Sequence, residues 1–108
     1  MPNYNYIRGR NFEYRVQKEL RNKGYYVQRA YGSKGMADLV AIPPLNEPSL
    51  RPLLIQCKYS KTKKLVLSKE ERNTLLDAVR LYNCIVITAN NGPKGIIYLD
   101  LYNRIVSV

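Results

Sequence analysis

The sequence of 108 residues contains no histidine, only eight acidic residues and only two cysteines. Histidine is the usual acid–base residue near neutral pH and the commonest zinc ligand, so its absence excludes histidine-based catalysis and the standard zinc sites. Cys57 and Cys84 do not form a C-x-x-C pair, and both lie in apolar runs. Such cysteines favour small buried thiols in a reducing compartment, with a disulfide between them as the alternative.

Long apolar runs are also missing. No run approaches the roughly 18 residues that indicate a membrane-spanning helix, and the N-terminal residues lack the apolar core of a signal peptide. We therefore expect a cytoplasmic protein, associated with the nucleoid or, for a viral protein, present in the host cytoplasm.

Basic residues are what the sequence has in excess. The 18 lysines and arginines against eight acidic residues give a net charge of +10 and a pI near 9.8. This charge indicates a polyanionic partner, either nucleic acid or an anionic membrane surface. A hydrophobic fraction of 45% is enough for a core and excludes a disordered basic tail. The length predicts one domain over residues 1–108, of which residues 1–6 are expected to be flexible.

Hydrophobic periodicity predicts an α/β fold, a single domain with a central mixed β-sheet flanked by helices, in the order α-β-β-β-α-β-β. Phe12, Val16 and Leu20 recur every four residues in a first helix over about residues 8–23, which Gly24 ends. Strands are predicted from runs of β-branched, aromatic and other apolar residues between turn residues. Their ranges are 25–30, 38–42, 53–59, 84–89, 96–101 and a short last strand at 105–108, with a turn at 90–95.

A second helix is predicted to begin at a capping-box signature. Ser68 and Glu71 form the pattern S-x-x-E, in which each residue satisfies a backbone N–H near the other. The helix should continue to about residue 82. Its apolar residues Leu75, Leu76 and Val79 are expected to be buried.

Polar side chains break the apolar pattern of two strands that follow one another in the chain. Asp38 begins the second strand after a glycine-bearing turn, and Gln56 and Lys58 share one face of the third, because side chains two residues apart point the same way. If these strands pair, Asp38 lies near both, and Glu13 of the first helix can approach the same end of the sheet. Two carboxylates and an amide oxygen suit Mg²⁺, and Lys58 can orient water or stabilise a phosphate. The set is typical of metal-assisted phosphodiester cleavage.

Each of these residues also has an ordinary structural explanation. Asp38 alone is typical of a turn cap, and Gln56 alone of an edge-strand amide that faces solvent. Lys58 alone is typical of a solvated strand end, and Glu13 of a helix-surface carboxylate. Their combination between apolar strands favours the functional interpretation without deciding it.

Three segments resemble the archaeal-type Holliday junction resolvases of the PD-(D/E)XK nuclease superfamily. They are R-G-R-N-F-E at residues 8–13, G-S-K-G-M-A-D-L-V-A at 32–41 and I-Q-C-K at 55–58. The resemblance implies a restriction-endonuclease-like fold. It also implies a metal-dependent endodeoxyribonuclease that resolves four-way DNA junctions.

Residue by residue, the resemblance implies a role for each matching position. Glu13 and Asp38 would bind Mg²⁺ with Gln56 as the third ligand, and Mn²⁺ is expected to substitute. Lys58 would be the catalytic lysine, and Ser33 matches a serine used near the scissile phosphate. The matches to basic positions that face DNA are Arg8, Arg10 and Arg29.

One position departs from the commoner form of the family, which has glutamate where this chain has Gln56. A neutral amide still offers its carbonyl oxygen to a metal, but it removes one negative charge from the site. The spacing of G-S-K-G-M-A-D is also slightly longer than in some relatives. This difference affects how Ser33 aligns with the serine of the family.

Basic residues bracket the predicted acidic pocket. Beyond the basic first helix, Arg29 and Lys34 continue towards the pocket, and Lys61, Lys63 and Lys64 follow the third strand. This pattern predicts a protein that binds the phosphate backbone beside a metal site. A four-way junction has approximate two-fold symmetry, so a homodimer would supply two sites for paired symmetric nicks. Residues expected to help form its interface are Leu75, Leu76, Ile96, Ile97, Ile105 and Val106.

The leading hypothesis is a Mg²⁺-dependent resolvase that acts on branched DNA as a homodimer, with no membrane partner and no small-molecule cofactor. Another nuclease of the superfamily, in repair or restriction, is the second hypothesis, although 108 residues leave little room for a sequence-reading region. A non-catalytic DNA-binding module of the same fold is the third, and Gln56 favours it. A basic RNA-binding protein is the last, and it would need no clustering of Asp38 with Lys58.

Overall fold

The helices and strands follow the predicted order. The structure is a computed structural model that describes residues 4–30, 37–59 and 68–108. The five strands form one mixed sheet whose spatial order is their chain order, which confirms the predicted α/β class. The elements are α1 (Tyr4–Asn22), β1 (Tyr26–Arg29), β2 (Leu39–Ile42), β3 (Leu53–Lys58), α2 (Lys69–Leu81), β4 (Ile85–Gly92) and β5 (Gly95–Leu99).

Neighbouring strands of the sheet are antiparallel except for β3 and β4, which run parallel. A parallel pair needs a crossover connection, and α2 lies in the connection between these two strands. The helix therefore begins at the edge of the sheet where β3 ends. Polar side chains at the carboxyl end of β3 consequently meet the first turn of α2.

The two helices pack on opposite faces of the sheet. The predicted stripe of α1, which includes Val16 and Leu20, is fully buried in a cluster with Ile55 of β3. Leu75 of α2 is buried in a second cluster, against which Leu54 of β3 packs. Because consecutive strand residues point to opposite faces, β3 lies between both helices and supplies side chains to each core.

The buried face of α2 differs in part from the predicted one. Leu75 is buried as expected, but Val79 is 46% exposed and Ala78 is fully buried instead. The small side chain of Ala78 lets the helix backbone approach the chain that enters β4, where the thiol of Cys84 contacts the Ala78 carbonyl oxygen. A pattern that favours large apolar side chains does not anticipate this close approach.

Strand β4 is longer than predicted, and the last predicted strand is much shorter. β4 continues to Gly92, so the turn is confined to residues 93–94. Asn90 belongs to the strand because its side-chain amide donates a hydrogen bond to the hydroxyl of Thr88, which satisfies a buried polar group. Beyond β5, the expected strand is reduced to a single bridge at Ile105.

Both cysteines are free thiols, as predicted, with Cys84 buried and Cys57 half-buried. Burial raises the pKa of each thiol, so both remain uncharged near neutral pH. Over the part of the chain that the structure describes, neither helix has the length and apolar character needed to cross a bilayer.

Helix α1 begins earlier than predicted and ends where predicted. Its first residue is Tyr4, and residues 1–3 lie outside the described residues, so the expected flexibility of residues 1–6 stays a prediction. Gly24 follows the helix with a φ of 97°, in the left-handed region that favours glycine.

Replacing Gly24 with alanine is expected to lower the free energy of unfolding by about 1–2 kcal/mol, because a Cβ disfavours the left-handed backbone. Gly9 is the matched control. It lies inside α1, and a Cβ added there meets no atom within 4 Å. Gly9→Ala should therefore raise the free energy of unfolding by about 0.5–1 kcal/mol. Urea denaturation of both variants measures the difference, and equal effects would contradict the left-handed conformation at Gly24.

Candidate active site

Asp38 lies directly before β2, beside the carboxyl end of β3. The register that pairs Leu39 with Ile55 places Asp38 opposite Gln56. The backbone N–H of Asp38 donates to the carbonyl oxygen of Ile55 at 3.0 Å, and the backbone N–H of Cys57 donates to Asp38 Oδ2 at 2.8 Å. These bonds fix the carboxylate against β3 through Oδ2. The expected proximity of Asp38 to the polar residues of β3 is present.

Gln56 and Lys58 share one face of β3, as predicted, and both contact Glu71 of α2. Lys58 Nζ lies 2.8 Å from Oε1 and 2.6 Å from Oε2 of Glu71. Gln56 Nε2 donates to Oε2 of the same carboxylate at 3.3 Å. The Lys58 side chain is only 17% exposed, so this group of three polar side chains is largely shielded from water.

Sequence reasoning identified Glu71 only as a member of the capping box and missed its place in the site. The capping box is present: Glu71 N donates to Ser68 Oγ at 3.1 Å, and Ser68 N donates to Glu71 Oε1 at 3.0 Å. The topology carried a signal for the second contact. A crossover helix begins near the carboxyl end of the preceding strand, so a carboxylate in its first turn can reach that strand's last side chains.

Glu13 approaches the same end of the sheet from α1. Its Oε1 lies 3.4 Å from Nε of Arg29 in β1, and the two side chains are both mostly buried. Burial raises the pKa of Glu13, the carboxylate of Asp38 raises it further, and the charge of Arg29 opposes both effects. The interaction with Asp38 shows that α1 brings a second carboxylate towards the strand that carries the first.

The carboxylates of the site differ in their affinity for protons. Burial is the largest effect on the pKa of Asp38 and raises it, whereas the Cys57 N–H and the charge of Lys58 act in the opposite direction. Burial alone would also raise the pKa of Glu71, but hydrogen bonds, foremost from Lys58, hold it below its ordinary value. Glu71 is therefore the ionised partner of Lys58, whereas Asp38 and Glu13 carry charge that the fold does not fully neutralise.

The oxygen atoms of this site fit a hard divalent cation. Glu13 and Asp38 are partly buried carboxylates, and burial raises the pKa of each. A nearby cation would stabilise their negatively charged forms. Gln56 commits Nε2 to Glu71, so its Oε1 would be the third oxygen of such a site. Within residues 4–30, 37–59 and 68–108, no three His, Cys, Asp or Glu side chains form a group that could hold a metal ion.

Arginines line a pocket that extends from the Glu13–Arg29 pair along α1 and β1. Arg21 Nη2 donates a hydrogen bond to the carbonyl oxygen of Val27 at 3.2 Å across this pocket. Gln17 is 5% exposed, and its Nε2 has no hydrogen-bond partner in the described part of the chain. The pocket has a volume of about 280 Å³ and is lined by Arg10, Tyr14, Gln17, Arg21, Val27, Gln28 and Arg29.

The other basic residues predicted to contact DNA divide into two groups. Arg8 and Arg10 are exposed on α1, and Arg10 Nε donates a hydrogen bond to the hydroxyl of Tyr14 at 3.1 Å. The second group, with the predicted catalytic serine, lies outside the described residues: Ser33, Lys34, Lys61, Lys63 and Lys64.

One protein family matches the sequence over most of its length. Its description is archaeal Holliday junction resolvase (Hjc), and the match covers residues 4–88. The chain belongs to this family. The matched range contains Glu13, Asp38, Gln56, Lys58 and Glu71. As a member of the Hjc family the chain is a nuclease of the resolvase class.

A solved structure of an Hjc protein shares the fold. Hjc of Archaeoglobus fulgidus, described as a Holliday junction resolvase from an archaeal hyperthermophile, superimposes with a TM-score of 0.73. The two chains are 24% identical, and the match covers 88% of this chain and 74% of the other. The restriction-endonuclease-like fold expected from the resemblance is thereby confirmed. No curated protein matches the sequence.

Proposed function

We propose that this Hjc-family chain is a Mg²⁺-dependent endodeoxyribonuclease that resolves four-way DNA junctions by paired symmetric nicks, as a homodimer. The observation that carries the proposal is that the Asp38 carboxylate, at one end of β3, lies near both the Glu13 carboxylate and the Lys58 ammonium and opposite Gln56. Oxygen ligands of this kind suit Mg²⁺, and Mn²⁺ is expected to substitute.

Each side chain has a separate task in this proposal. Glu13, Asp38 and Gln56 Oε1 would bind the Mg²⁺, which when bound polarises the scissile phosphate and lowers the pKa of an attacking water. Lys58 donates hydrogen bonds to the phosphate oxygen on which negative charge increases in the transition state. The bond from Cys57 N–H to Asp38 prepares the ligand geometry before DNA binds.

The arginine-lined pocket supports a path for the DNA backbone. It begins at Arg29, which pairs with Glu13, and continues to Arg21 near the end of α1. Arginine donors are among the groups that bind phosphate oxygens in protein–DNA interfaces. In this proposal a phosphate next to the cleaved one occupies the pocket, so the strand runs along α1 towards the active site.

Replacing Arg21 with glutamine is expected to weaken junction binding several-fold and to reduce the slope of log affinity against log salt by about 1. The rate of cleavage by fully bound protein should stay the same, because Arg21 lies away from Asp38. Fluorescence anisotropy over a salt series measures the slope. Arg80→Gln is the matched control, since Arg80 is an exposed arginine on α2. Equal losses in both variants would show an effect of net charge and no specific phosphate contact.

The dimer interface expected from the sequence needs one correction. Leu75 is 1% exposed in the core of its own chain and cannot contact a second copy. Arg72 of α2 donates a hydrogen bond to the carbonyl oxygen of Leu101, so the chain after β5 adjoins this helix. Large apolar side chains that are more than half exposed support an interface in this region. They are Leu81, Tyr82, Tyr102 and Ile105.

Cleavage of a synthetic four-way junction tests the proposed function. The full chain is incubated with the junction or with a matched linear duplex, in Mg²⁺ or in EDTA. Symmetric nicks on the junction that require Mg²⁺ are expected, together with a dimer mass in solution at micromolar concentration. Equal cutting of the duplex would indicate a nuclease of another purpose. Tight junction binding without cutting would favour a non-catalytic module, the alternative that Gln56 supports.

A further inference from the structure

Every hydrogen-bond acceptor position of the Glu71 carboxylate is occupied by a donor from the start of α2 or from β3. Oε1 accepts from Lys58 Nζ and from the backbone N–H of Ser68, and Oε2 accepts from Lys58 Nζ and from Gln56 Nε2. A carboxylate offers about four lone-pair directions, so these bonds saturate it. Glu71 is therefore suited to fix other side chains and not to bind a ligand of its own.

The contact with Glu71 determines which end of the Gln56 amide faces the rest of the site. A carboxylate accepts hydrogen bonds and cannot donate them, so the NH₂ group of Gln56 must face Glu71. The carbonyl oxygen Oε1 is then directed away from Glu71. That oxygen is the atom of Gln56 that the proposed metal site uses.

A glutamate at position 56 would change this arrangement. Its carboxylate would lie at the 3.3 Å that now separates Gln56 Nε2 from Glu71 Oε2, and two like charges at that distance repel. It would also compete with Glu71 for the ammonium of Lys58. Glutamine at position 56 and glutamate at position 71 are consequently a matched pair.

We propose that Glu71 is a positioning residue that fixes the Lys58 ammonium and the Gln56 amide, and that Gln56 is glutamine because Glu71 is its partner. This inference deepens the proposed function and rests on it for the tasks of Lys58 and Gln56. The first turn of α2 thus places a carboxylate beside position 56, where the commoner form of the family carries its own in the strand. The pair thereby explains why this chain has glutamine at position 56.

A double-mutant cycle tests the inference on the full chain with Gln56→Glu, Glu71→Gln and the exchanged double variant. Glutamine is also a capping-box residue, so Glu71→Gln retains the helix cap while it removes the charge. We expect each single change to reduce the single-turnover cleavage rate at least about tenfold with junction affinity within about twofold. The exchanged variant should recover most of the rate, because it restores one carboxylate and one amide facing each other.

Melting temperature provides a readout that does not depend on cleavage. Gln56→Glu is expected to lower the melting temperature in low salt, and the exchanged variant should reverse the loss, because the repulsion between carboxylates is removed. Glu70→Gln is the matched control, since Glu70 is an exposed acid of the same helical turn, and it should leave both rate and melting temperature unchanged.

The outcomes separate this inference from the proposed function. Additive effects of the two changes on both rate and melting temperature would overturn the pairing even if the wild-type chain resolves junctions. A stability loss in Glu71→Gln with an unchanged cleavage rate would show a merely structural role and would also overturn it. A wild-type chain that never cuts junctions would refute the proposed function. In that case the pairing of residues 56 and 71 would still be supported if the exchanged variant regained the melting temperature that Gln56→Glu loses.

Discussion

Replacing Lys58 with methionine is expected to reduce the single-turnover rate of junction cleavage on the order of 10²–10³-fold. In the proposed function, the change removes the ammonium that would meet the charge developing on the phosphate, and it keeps an unbranched side chain of similar length in β3. Junction affinity in EDTA should change by less than about threefold, because the loss of one phosphate contact among many affects binding only slightly. Cleavage assays at saturating protein and gel shifts on the same junction measure the two effects.

The control for this variant is Lys94→Met, which removes the same charge from an exposed residue in the turn between β4 and β5. It is expected to leave both cleavage and binding unchanged. A Lys58→Met variant that loses binding in proportion to cleavage would show that Lys58 is a backbone contact and no catalytic group. The ratio of the two losses therefore decides the role of this side chain.

Replacing Asp38 with asparagine is expected to reduce Mg²⁺-dependent cleavage at least about 10³-fold. Asparagine keeps an oxygen that can accept the bond from the Cys57 N–H, so the backbone arrangement is retained, but the site loses one of two carboxylates. Mg²⁺ should raise the melting temperature of the wild-type chain, because a ligand that binds the folded state stabilises it. The same addition should leave Asp38→Asn unchanged.

The raised pKa of Asp38 gives the same variant a second, pH-dependent effect in the absence of metal. A carboxyl group with a raised pKa in the fold favours the folded state when protonated, and that contribution is lost as the pH rises through the folded pKa. The charged groups that face Asp38 are Glu13, Arg29, Lys58 and Glu71, and burial outweighs the two cations. Metal-free Asp38→Asn should therefore melt above wild type near neutral pH.

This excess stability of Asp38→Asn is expected to shrink as the pH falls towards the ordinary pKa of aspartate, where the wild-type carboxyl is protonated. Melting curves of both proteins in EDTA between about pH 3.5 and pH 8 measure the difference. Leu39→Ala, a core change beside Asp38, supplies a control whose offset from wild type should not follow this titration. A constant offset for Asp38→Asn across the range would contradict the burial of its charge.

Part of the site could be predicted from the sequence because it depends on short-range pattern. Asp38 and the Gln56–Lys58 pair lie on consecutive strands, and side-chain alternation places them on one face once those strands pair. Glu71 could not be predicted in the same way, since S-x-x-E has a complete local explanation as a helix cap. Its contact with Lys58 depends on where the crossover helix begins, and this is a property of the whole sheet.

The fold shows the same division between local pattern and tertiary context. The stripe of α1 was predicted because large apolar side chains recur at helical spacing, and its members are buried. Ala78 and Asn90 were misjudged because a small residue and a polar residue are buried only where a neighbour permits it. Cys84 provides that contact for Ala78, and Thr88 provides it for Asn90.

The parallel pairing of β3 with β4 has a consequence for the moment during synthesis at which the chain becomes active. We expect α2 to reach its packed position only when β4 has been made, because Cys84, Val86 and Leu101 supply most of the cluster that buries Leu75 and Ala78. A nascent chain that ends before β4 already carries the basic helix α1 but has no Glu71 fixed against Lys58. Pairing across such a sequence separation is also a slow event in folding. Under the proposed function, we therefore expect an incomplete chain to bind DNA weakly and not to cleave it.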